Sequence, residues 1–219
     1  MQPVLETLGD GFDRNLCYVL GCPETGEGAL VDAGIRTDRV LAAFEAGGLR
    51  PAALLVTHGH GDHLSEGADF VRRTGAEVHA FEPSVAARIG ARRFRGLADG
   101  AVVEVGRLRL EALHTPGHSP DSACFLCGAA GLVFTGDTLF VGRTGRTLGP
   151  GASNRELYRS VERLRRLPPE TVILPGHDYG DSPTSTIGRE LETNAFLRAR
   201  SEEDFVRVME DYERERRRG

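Results

Sequence analysis

Several features that would assign a chain to a broad class of protein are missing from these 219 residues. No apolar run approaches the roughly 18–20 residues of a membrane-spanning helix, so we predict no membrane partner. No lysine is present, and all 27 basic residues are arginine, a bias that base composition can produce and that predicts no function. The net charge is only −5, which gives no indication of a nucleic-acid partner.

A signal-peptide pattern is also missing, because Glu6, Asp10 and Asp13 precede any long apolar run. We therefore expect a cytoplasmic protein. Cysteine is scarce, and Cys124 and Cys127 have the C-x-x-C spacing of some zinc and redox sites. They fall in a predicted strand, where positions three apart face opposite sides of the sheet, so we interpret them as buried thiols.

Short apolar segments alternate with helical patterns along the chain. Strands are predicted at 4–8, 17–20, 29–32, 52–56, 77–80, 101–105, 108–113, 122–127, 131–135 and 171–174. Helices are predicted at 37–46 with Thr37 as N-cap, 65–74, 83–89 and 154–164. This α/β pattern predicts one domain, residues 1–219, with two sheets and outer helices, in which residues 183–219 are a helical C-terminal extension.

The most informative stretch is Thr57–His63, which directly follows the predicted strand 52–56. Loops at strand ends are where α/β proteins commonly bind ligands. Its imidazole and carboxylate groups suit zinc or iron. A polar loop before a helix is the alternative interpretation, but three histidines with an aspartate favour a metal site. The candidate ligands are His58, His60, Asp62 and His63.

Three further segments repeat this arrangement, in which an apolar strand is followed by a metal-capable residue in a turn. They place His118 in segment 114–120, Asp137 in segment 132–138 and His177 in segment 172–179. Each of these alone would be a weak signal, since a single histidine or aspartate after a strand is usually a cap or turn residue. Their occurrence together with the first cluster is a strong indication of a metal site.

These residues resemble, in identity and order, the five motifs of the metallo-β-lactamase superfamily. The motifs are Val31-Asp32, His58-x-His60-x-Asp62-His63, His118, Asp137 and His177. The resemblance implies an αββα sandwich with metals at one edge between the sheets. It implies that one ion is bound by His58, His60 and His118, and a second by Asp62, His63 and His177, with Asp137 bridging them.

The ligand set that the resemblance implies predicts hydrolytic chemistry. Two ions about 3.5–4 Å apart can hold a bridging hydroxide and polarise the bond that it attacks. We therefore predict a metallohydrolase with two divalent ions as cofactors, zinc first, with iron or manganese as alternatives. Asp62 and Asp137 are the candidate catalytic residues, and no serine or cysteine nucleophile is needed.

Within the superfamily the chain resembles two subgroups that act on glutathione derivatives. Glyoxalase II hydrolyses S-acyl-glutathione thioesters, and the segment 135–141 is close to its form. Arg146 matches the place where both subgroups have a basic residue near the substrate. Tyr179 matches a glyoxalase II position that contacts glutathione, and a tyrosine there also fits the other subgroup. We therefore predict hydrolysis of a small-molecule thioester of the S-acyl-glutathione type. Persulfide dioxygenases are the alternative, with a single iron bound by His58, His118 and Asp137.

Other reactions and other polar residues are interpreted differently. The chain lacks the inserted domain and basic face of a nuclease, and β-lactam hydrolysis fits the expected compartment poorly. His79 is interpreted as a packing or surface residue, His114 as support for the His118 loop, and Asp32 as support for a turn or a ligand. The glycine-rich segment 142–150 is predicted to be a mobile loop that selects the substrate.

Overall fold

The computed structural model describes residues 2–9 and 13–216. The first of its two six-stranded sheets has its strands in chain order across the sheet. They are β1 (Val4–Gly9), β2 (Leu16–Cys22), β3 (Glu27–Val31), β4 (Arg50–Leu55), β5 (Glu77–Ala80) and β6 (Phe94–Gly96). β1, β2 and β3 are antiparallel neighbours, and β3 to β6 run parallel.

The second six-stranded sheet has the order β14-β13-β10-β9-β8-β7. Its strands are β7 (Val102–Val105), β8 (Leu108–His114), β9 (Ala123–Cys127), β10 (Leu132–Gly136), β13 (Val172–Pro175) and β14 (Ser185–Thr186). A separate antiparallel pair consists of β11 (Leu139–Phe140) and β12 (Arg143–Thr144). β10 and β13 run parallel, so their carboxyl ends lie at the same edge of the sheet.

The helices lie between and after these strands. They are α1 (Thr37–Ala46), α2 (Gly67–Thr74), α3 (Ser84–Arg88), α4 (Asn154–Leu164), α5 (Ile187–Thr193), α6 (Ala195–Arg198) and α7 (Glu202–Arg216). None of these described helices is both long and apolar enough to cross a membrane. The predicted domain 1–219 and its extension 183–219 stay predictions, and residues 1, 10–12 and 217–219 within them lie outside the described residues.

The buried side chains form three layers. The outer face of the first sheet packs against α1–α3, for example through Phe44 and Phe70. The inner faces of the two sheets pack together, with the rings of Tyr18 and Phe134 5.3 Å apart. The outer face of the second sheet packs against α4–α7. This arrangement confirms the expected αββα sandwich.

The two cysteines of the C-x-x-C pair lie in different layers. Cys124 packs among the helices outside the second sheet, whereas Cys127 packs between the two sheets. Both side chains are buried. Their opposite orientations confirm the interpretation as buried thiols, and burial raises the pKa of Cys124 to about 11.

Three local predictions were wrong. Thr37 is the first residue of α1 and not its N-cap, because its hydroxyl donates to the Glu66 carboxylate. α2 begins at Gly67 and not at Ser65, since the amide of Glu66 bonds to the Ala33 carbonyl. The segment 142–150 is not entirely loop, because it contains β12, which pairs with β11.

Candidate metal centre

Four loops meet at one edge of the sandwich, each at the carboxyl end of a strand. The loop after β4 includes a single 3-10 turn, Gly61–His63, which turns its last two ligand candidates inward. The loops after β8, β10 and β13 each contribute one more candidate. The structure thus brings together all seven residues named from the sequence: His58, His60, Asp62, His63, His118, Asp137 and His177.

The first group consists of three histidines from two loops. Nδ1 of His60 lies 3.0 Å from Nε2 of His58 and 3.0 Å from Nε2 of His118. His58 is buried, His60 is exposed, and His118 is half-buried. Three imidazole nitrogens therefore converge on one point that remains accessible from outside the protein.

The second group lies beside the first and is made of Asp62, His63 and His177. Nε2 of His177 lies 3.3 Å from Nε2 of His63 and 3.4 Å from Oδ2 of Asp62. Oδ2 of Asp62 and Nε2 of His63 are 3.8 Å apart. The side chains of His63 and His177 are 1% and 2% exposed, so a cation here could be reached only from the Asp62 side.

Asp137 lies between the two groups. Its Oδ1 is 3.3 Å from Nε2 of His63 and 3.5 Å from Nε2 of His177. Its Oδ2 is 3.5 Å from Nε2 of His118. One carboxylate oxygen thus faces each group, which is the placement of a ligand that two cations share.

The tautomers of His118 and His177 are fixed by backbone oxygens outside the groups. Nδ1 of His118 donates to the carbonyl of Arg146 at 2.8 Å, and Nδ1 of His177 donates to the carbonyl of Asp13 at 2.9 Å. Each Nε2 consequently carries a lone pair directed at the centre when the ring is neutral.

Asp32 fixes His58 and His63 from behind. It has a φ of 58°, accepts from the Thr57 amide at 2.8 Å and from the Thr57 hydroxyl at 2.7 Å, and lies 2.8 Å from Nδ1 of His63. Since the Thr57 hydroxyl donates its hydrogen to Asp32, it accepts from Nδ1 of His58 at 3.2 Å. His58 therefore also presents a lone pair on Nε2, and Asp32 supports a turn and a ligand residue together.

These donors fit a divalent cation better than they fit one another. Nε2 of His58 and Nε2 of His118 both direct a lone pair at Nδ1 of His60, each at 3.0 Å, and Nδ1 carries at most one hydrogen, so one lone pair stays unsatisfied. Oδ1 of Asp137 is buried and accepts no hydrogen bond, although Nε2 of His63 lies 3.3 Å away. Imidazole nitrogens with carboxylate oxygens are the donor set of zinc, iron and manganese sites. A cation in each group would satisfy both the facing lone pairs and this carboxylate oxygen.

The pKa shifts of the histidines differ between the two groups. Burial, with the charge of His63 adding to it, lowers the pKa of His58 well below its ordinary value. Burial acts the same way on His63, but the carboxylates of Asp137 and Asp32 outweigh it and raise the pKa of His63 well above its ordinary value. The burial of Asp137 opposes its ionisation, yet His63 holds the pKa of Asp137 well below its usual range.

Metal binding is expected to release protons near neutral pH. The pKa of His177 is also raised, because Asp62 and Asp137 outweigh the effect of burial. We therefore expect His63 and His177 to hold protons to a higher pH than an ordinary histidine does in the metal-free protein, and a cation must displace those protons. We expect zinc binding at pH 7 to release about one to two protons per chain. Calorimetry in buffers of different ionisation enthalpy measures this number.

The sign of the pH dependence follows from the raised pKa values. As the pH rises through them, the two imidazoles lose their protons without metal, so proton release should decline and the apparent zinc affinity should increase. Zinc binding that releases no proton at pH 7 would contradict the assignment of His63 and His177 as protonated.

Asp121 and Arg88 hold the His58–His60 loop, a role that sequence reasoning missed. Asp121 accepts from the Gly59 amide and from the Ser119 hydroxyl, both at 2.7 Å, so it ties this loop to the His118 loop. Arg88 donates to the carbonyl of Gly59. Nothing in the sequence pattern signals these contacts, because Asp121 reads as an ordinary turn residue.

A cavity of about 340 Å³ opens above the two groups. Both residues predicted to bind substrate line it. The ring of Tyr179 stacks on His177 with centroids 4.7 Å apart, and its hydroxyl donates to the Asp13 carboxylate at 3.1 Å. Arg146 is exposed at the mouth. Their position above the candidate ligands is compatible with the predicted substrate contacts, which stay predictions.

The remaining histidines lie outside the groups. His79 is buried in β5, with Nε2 3.4 Å from the Glu77 carboxylate, so it is a packing residue as interpreted. His114 contacts the Pro120 carbonyl through Nε2 at 2.8 Å and stacks on Phe81. That contact spans the base of the His118 loop and confirms its supporting role.

Known proteins have sequences similar to that of this chain. A family model described as the metallo-beta-lactamase superfamily matches residues 10–177. A hydroxyacylglutathione hydrolase of Polaromonas sp. (strain JS666 / ATCC BAA-500) is 34% identical over 188 residues, which cover 83% of this chain and 69% of that protein. The human mitochondrial persulfide dioxygenase ETHE1 is 34% identical over 194 residues, which cover 88% of this chain and 74% of that protein.

Solved structures agree with these relatives. The crystal structure of ETHE1 from Myxococcus xanthus matches with a TM-score of 0.86 and 31% identity, covering 95% of this chain and 91% of that one. The structure of TTHA1623 in a di-iron-bound form matches with a TM-score of 0.75 and 33% identity, covering 88% and 100%. The resemblance inferred from the motifs is confirmed. The chain belongs to the metallo-beta-lactamase superfamily.

Proposed function

We propose that this chain is a binuclear metallohydrolase that cleaves a thioester of the S-acyl-glutathione type. The observation that carries the proposal is the placement of Asp137, whose two oxygens face two separate three-residue groups. The second group offers three donors of its own, which is enough to hold a second ion. The relative from Polaromonas sp., a hydroxyacylglutathione hydrolase, supports the substrate class.

Each candidate ligand has a proposed role in holding the two ions. His58, His60 and His118 would hold one ion, Asp62, His63 and His177 the other, and Asp137 both. Ions held in this way supply a water of lowered pKa and a positive charge that polarises the bond under attack. Zinc is the proposed metal, with iron or manganese as alternatives. The di-iron-bound form of TTHA1623 supports iron as one of these alternatives.

Asp62 is the proposed proton acceptor. It lines the cavity, and its side chain is 36% exposed, so it is the carboxylate of the second group that a substrate can approach. Burial opposes its ionisation, but the hydrogen bond from His177 outweighs this and lowers the pKa of Asp62. Asp62 is therefore ionised at neutral pH, and its free oxygen can orient the attacking water and accept a hydrogen from it.

Arg146 and Tyr179 are the proposed substrate contacts. Both line the cavity, Tyr179 stacked on His177 and Arg146 beside His118, where they could contact the part of the thioester that does not react. Arg146 also presents its carbonyl to Nδ1 of His118, so a substrate contact at this residue would bear directly on a candidate ligand loop.

Oxidation of glutathione persulfide is the second candidate function. The observation that favours it is the 34% identity to human ETHE1, equal to that of the hydrolase relative. Under this alternative one iron is held by His58, His118 and Asp137, the two-histidine, one-carboxylate set of many oxygen-activating iron enzymes. His60 and the second group would then have no direct role.

Metal analysis with paired assays tests the proposal. Protein purified without added metal should contain about two ions per chain and should cleave S-lactoylglutathione. One iron per chain, with oxygen consumed on addition of glutathione persulfide, would overturn the proposal in favour of the dioxygenase. Two variants distinguish a two-ion site from a single-iron site. His60→Ala and His118→Ala should both abolish hydrolysis, whereas activity that survives His60→Ala and is lost in His118→Ala would indicate a single-iron enzyme.

A further inference from the structure

Arg143, on β12, is held between two tyrosines in the wall of the cavity. Its guanidinium lies 4.2 Å from the centre of the Tyr179 ring and 6.0 Å from that of Tyr212. One of its terminal nitrogens, Nη1, donates to the Tyr212 hydroxyl at 2.8 Å. The charged group is therefore fixed in place above the metal groups by cation–π contact and a hydrogen bond.

The guanidinium of Arg143 is only partly satisfied by the described residues. Its Nε is buried and has no hydrogen-bond partner among them. Within residues 2–9 and 13–216, Arg143 forms no ion pair with a carboxylate, unlike Arg163 or Arg189 at the surface. A half-buried cation without an anionic partner is costly, and an anionic ligand in the cavity would supply that partner.

Two more arginines line the same cavity. Arg146 and Arg216 lie at its mouth, and neither forms an ion pair within the described part of the chain. Of the carboxylates that line the cavity, Asp62 and Asp137 belong to the metal groups, which leaves Asp13 with its hydrogen bond from Tyr179. Among the described residues, the outer part of the cavity thus has three arginines and one carboxylate, an excess of positive charge that favours an anionic portion of the substrate.

The C-terminal helix α7 supplies part of this wall. Phe205 and Met209 anchor the helix in the layer outside the second sheet. Tyr212 lies one turn beyond Met209 and packs edge-on against Phe196, with ring centroids 5.9 Å apart. This packing brings the Tyr212 hydroxyl to Arg143, and Arg216 follows one turn later at the mouth. α7 thus contributes to the cavity as well as covering the core.

We propose that Arg143, positioned by Tyr212 of α7, binds a carboxylate of the substrate away from the scissile bond. The proposal rests on the hydrolase function above, and it makes carboxylate-bearing thioesters the preferred class. A guanidinium suits a carboxylate because its N–H groups form a planar fork that matches the two oxygens. Tyr212 is a positioning residue, since it acts on the substrate through Arg143.

Three small thioesters test the preference in the metal-loaded protein. S-acetyl-N-acetylcysteamine is neutral, S-acetyl-3-mercaptopropionate carries a carboxylate on the thiol half, and S-succinyl-N-acetylcysteamine carries one on the acyl half. We expect kcat/KM for at least one charged thioester to exceed that for the neutral one by about tenfold or more. In Arg143→Gln this ratio should fall towards one. Arg39→Gln, an exposed change on α1, should keep the ratio of the unaltered chain.

Tyr212→Phe separates positioning from folding. It keeps the ring and its packing but removes the hydroxyl, so KM for the charged thioester should rise several-fold while kcat is retained. A helix that had simply lost its packing would lower kcat for the neutral and charged thioesters together. Equal kcat/KM for all three thioesters, or a preference that Arg143→Gln retains, would overturn the proposal.

A binding measurement separates this proposal from the hydrolase proposal. S-methylglutathione carries carboxylates but has no acyl group to cleave, so its binding does not require turnover. Calorimetry on the metal-loaded protein should show binding that weakens about tenfold or more in Arg143→Gln and is unchanged in Arg39→Gln. If no thioester is cleaved but this difference holds, the hydrolase function fails and the carboxylate site stands. Equal binding of S-methylglutathione by both variants would overturn the proposed carboxylate site.

Discussion

Asp137→Asn is expected to remove metal from both groups and to lower kcat/KM for thioester hydrolysis on the order of 1000-fold or more. The two oxygens of Asp137 face the two groups, at 3.3 Å from His63 and 3.5 Å from His118. Asparagine keeps the shape but offers one neutral oxygen, so neither group keeps its shared anionic ligand. Metal content per chain and steady-state kinetics measure the two effects.

The same substitution changes the proton balance of the site. Asp137 is a principal cause of the raised pKa of His63, so in Asp137→Asn the pKa of His63 should fall and zinc binding should release fewer protons than in the unaltered chain. Asp38→Asn, at the exposed first turn of α1, is the control and should leave metal content, kinetics and proton release as they were. Full metal content in Asp137→Asn would show that the carboxylate is not shared.

The positions of the candidate ligands could be predicted because each depends on a short local pattern. An apolar strand followed by a histidine or aspartate in a turn was enough to name His118, Asp137 and His177, and the structure places all three at strand ends. The way in which these turns meet depends on contacts between distant parts of the chain, so it could not be predicted from local patterns. The alternation of strands and helices was compatible with two sheets and outer helices, but the αββα sandwich with the metals at one edge came from the resemblance to a family.

The wall of the cavity was less predictable, because it depends on contacts between distant parts of the chain. Arg143 and Tyr212 are 69 residues apart in sequence, and neither carries a motif. The glycines around Arg143 favoured a mobile loop, but β12 pairs with β11 and fixes the arginine. Pairing across a two-residue strand has no periodicity to detect, since period-two alternation needs at least four residues.

The close approach of backbone to the candidate ligands was likewise hidden in the sequence. Gly176 reads as a turn residue before His177, yet its amide bonds to the Gly136 carbonyl at 2.9 Å and brings the β13 loop against the Asp137 loop. A Cβ at Gly176 would lie 2.6 Å from Oδ1 of Asp137 and 2.7 Å from Cε1 of His63. The glycine is needed for space, at the point where the second group and the shared carboxylate meet.

Gly176→Ala is therefore expected to cost the protein most of the metal in its second group, although the residue binds no metal itself. His63 cannot easily yield, because Asp32 holds its Nδ1 at 2.8 Å, so Asp137 must move out of its position between the groups. Overpacking of this kind costs about 1–3 kcal/mol. The loss of backbone freedom in the unfolded chain offsets only about 0.4–1 kcal/mol of that.

We expect Gly176→Ala to lower the Tm of the metal-free protein by roughly 2–10 °C, and metal analysis should find close to one ion per chain fewer than in the unaltered chain. Gly61→Ala is the matched control, because it makes the same change in a ligand-bearing loop, where an added Cβ meets nothing within 4 Å. Gly61→Ala should keep both ions. Equal metal content in the two variants would contradict this prediction. It would mean that the space beside Asp137 and His63 does not determine whether the second group binds a metal ion.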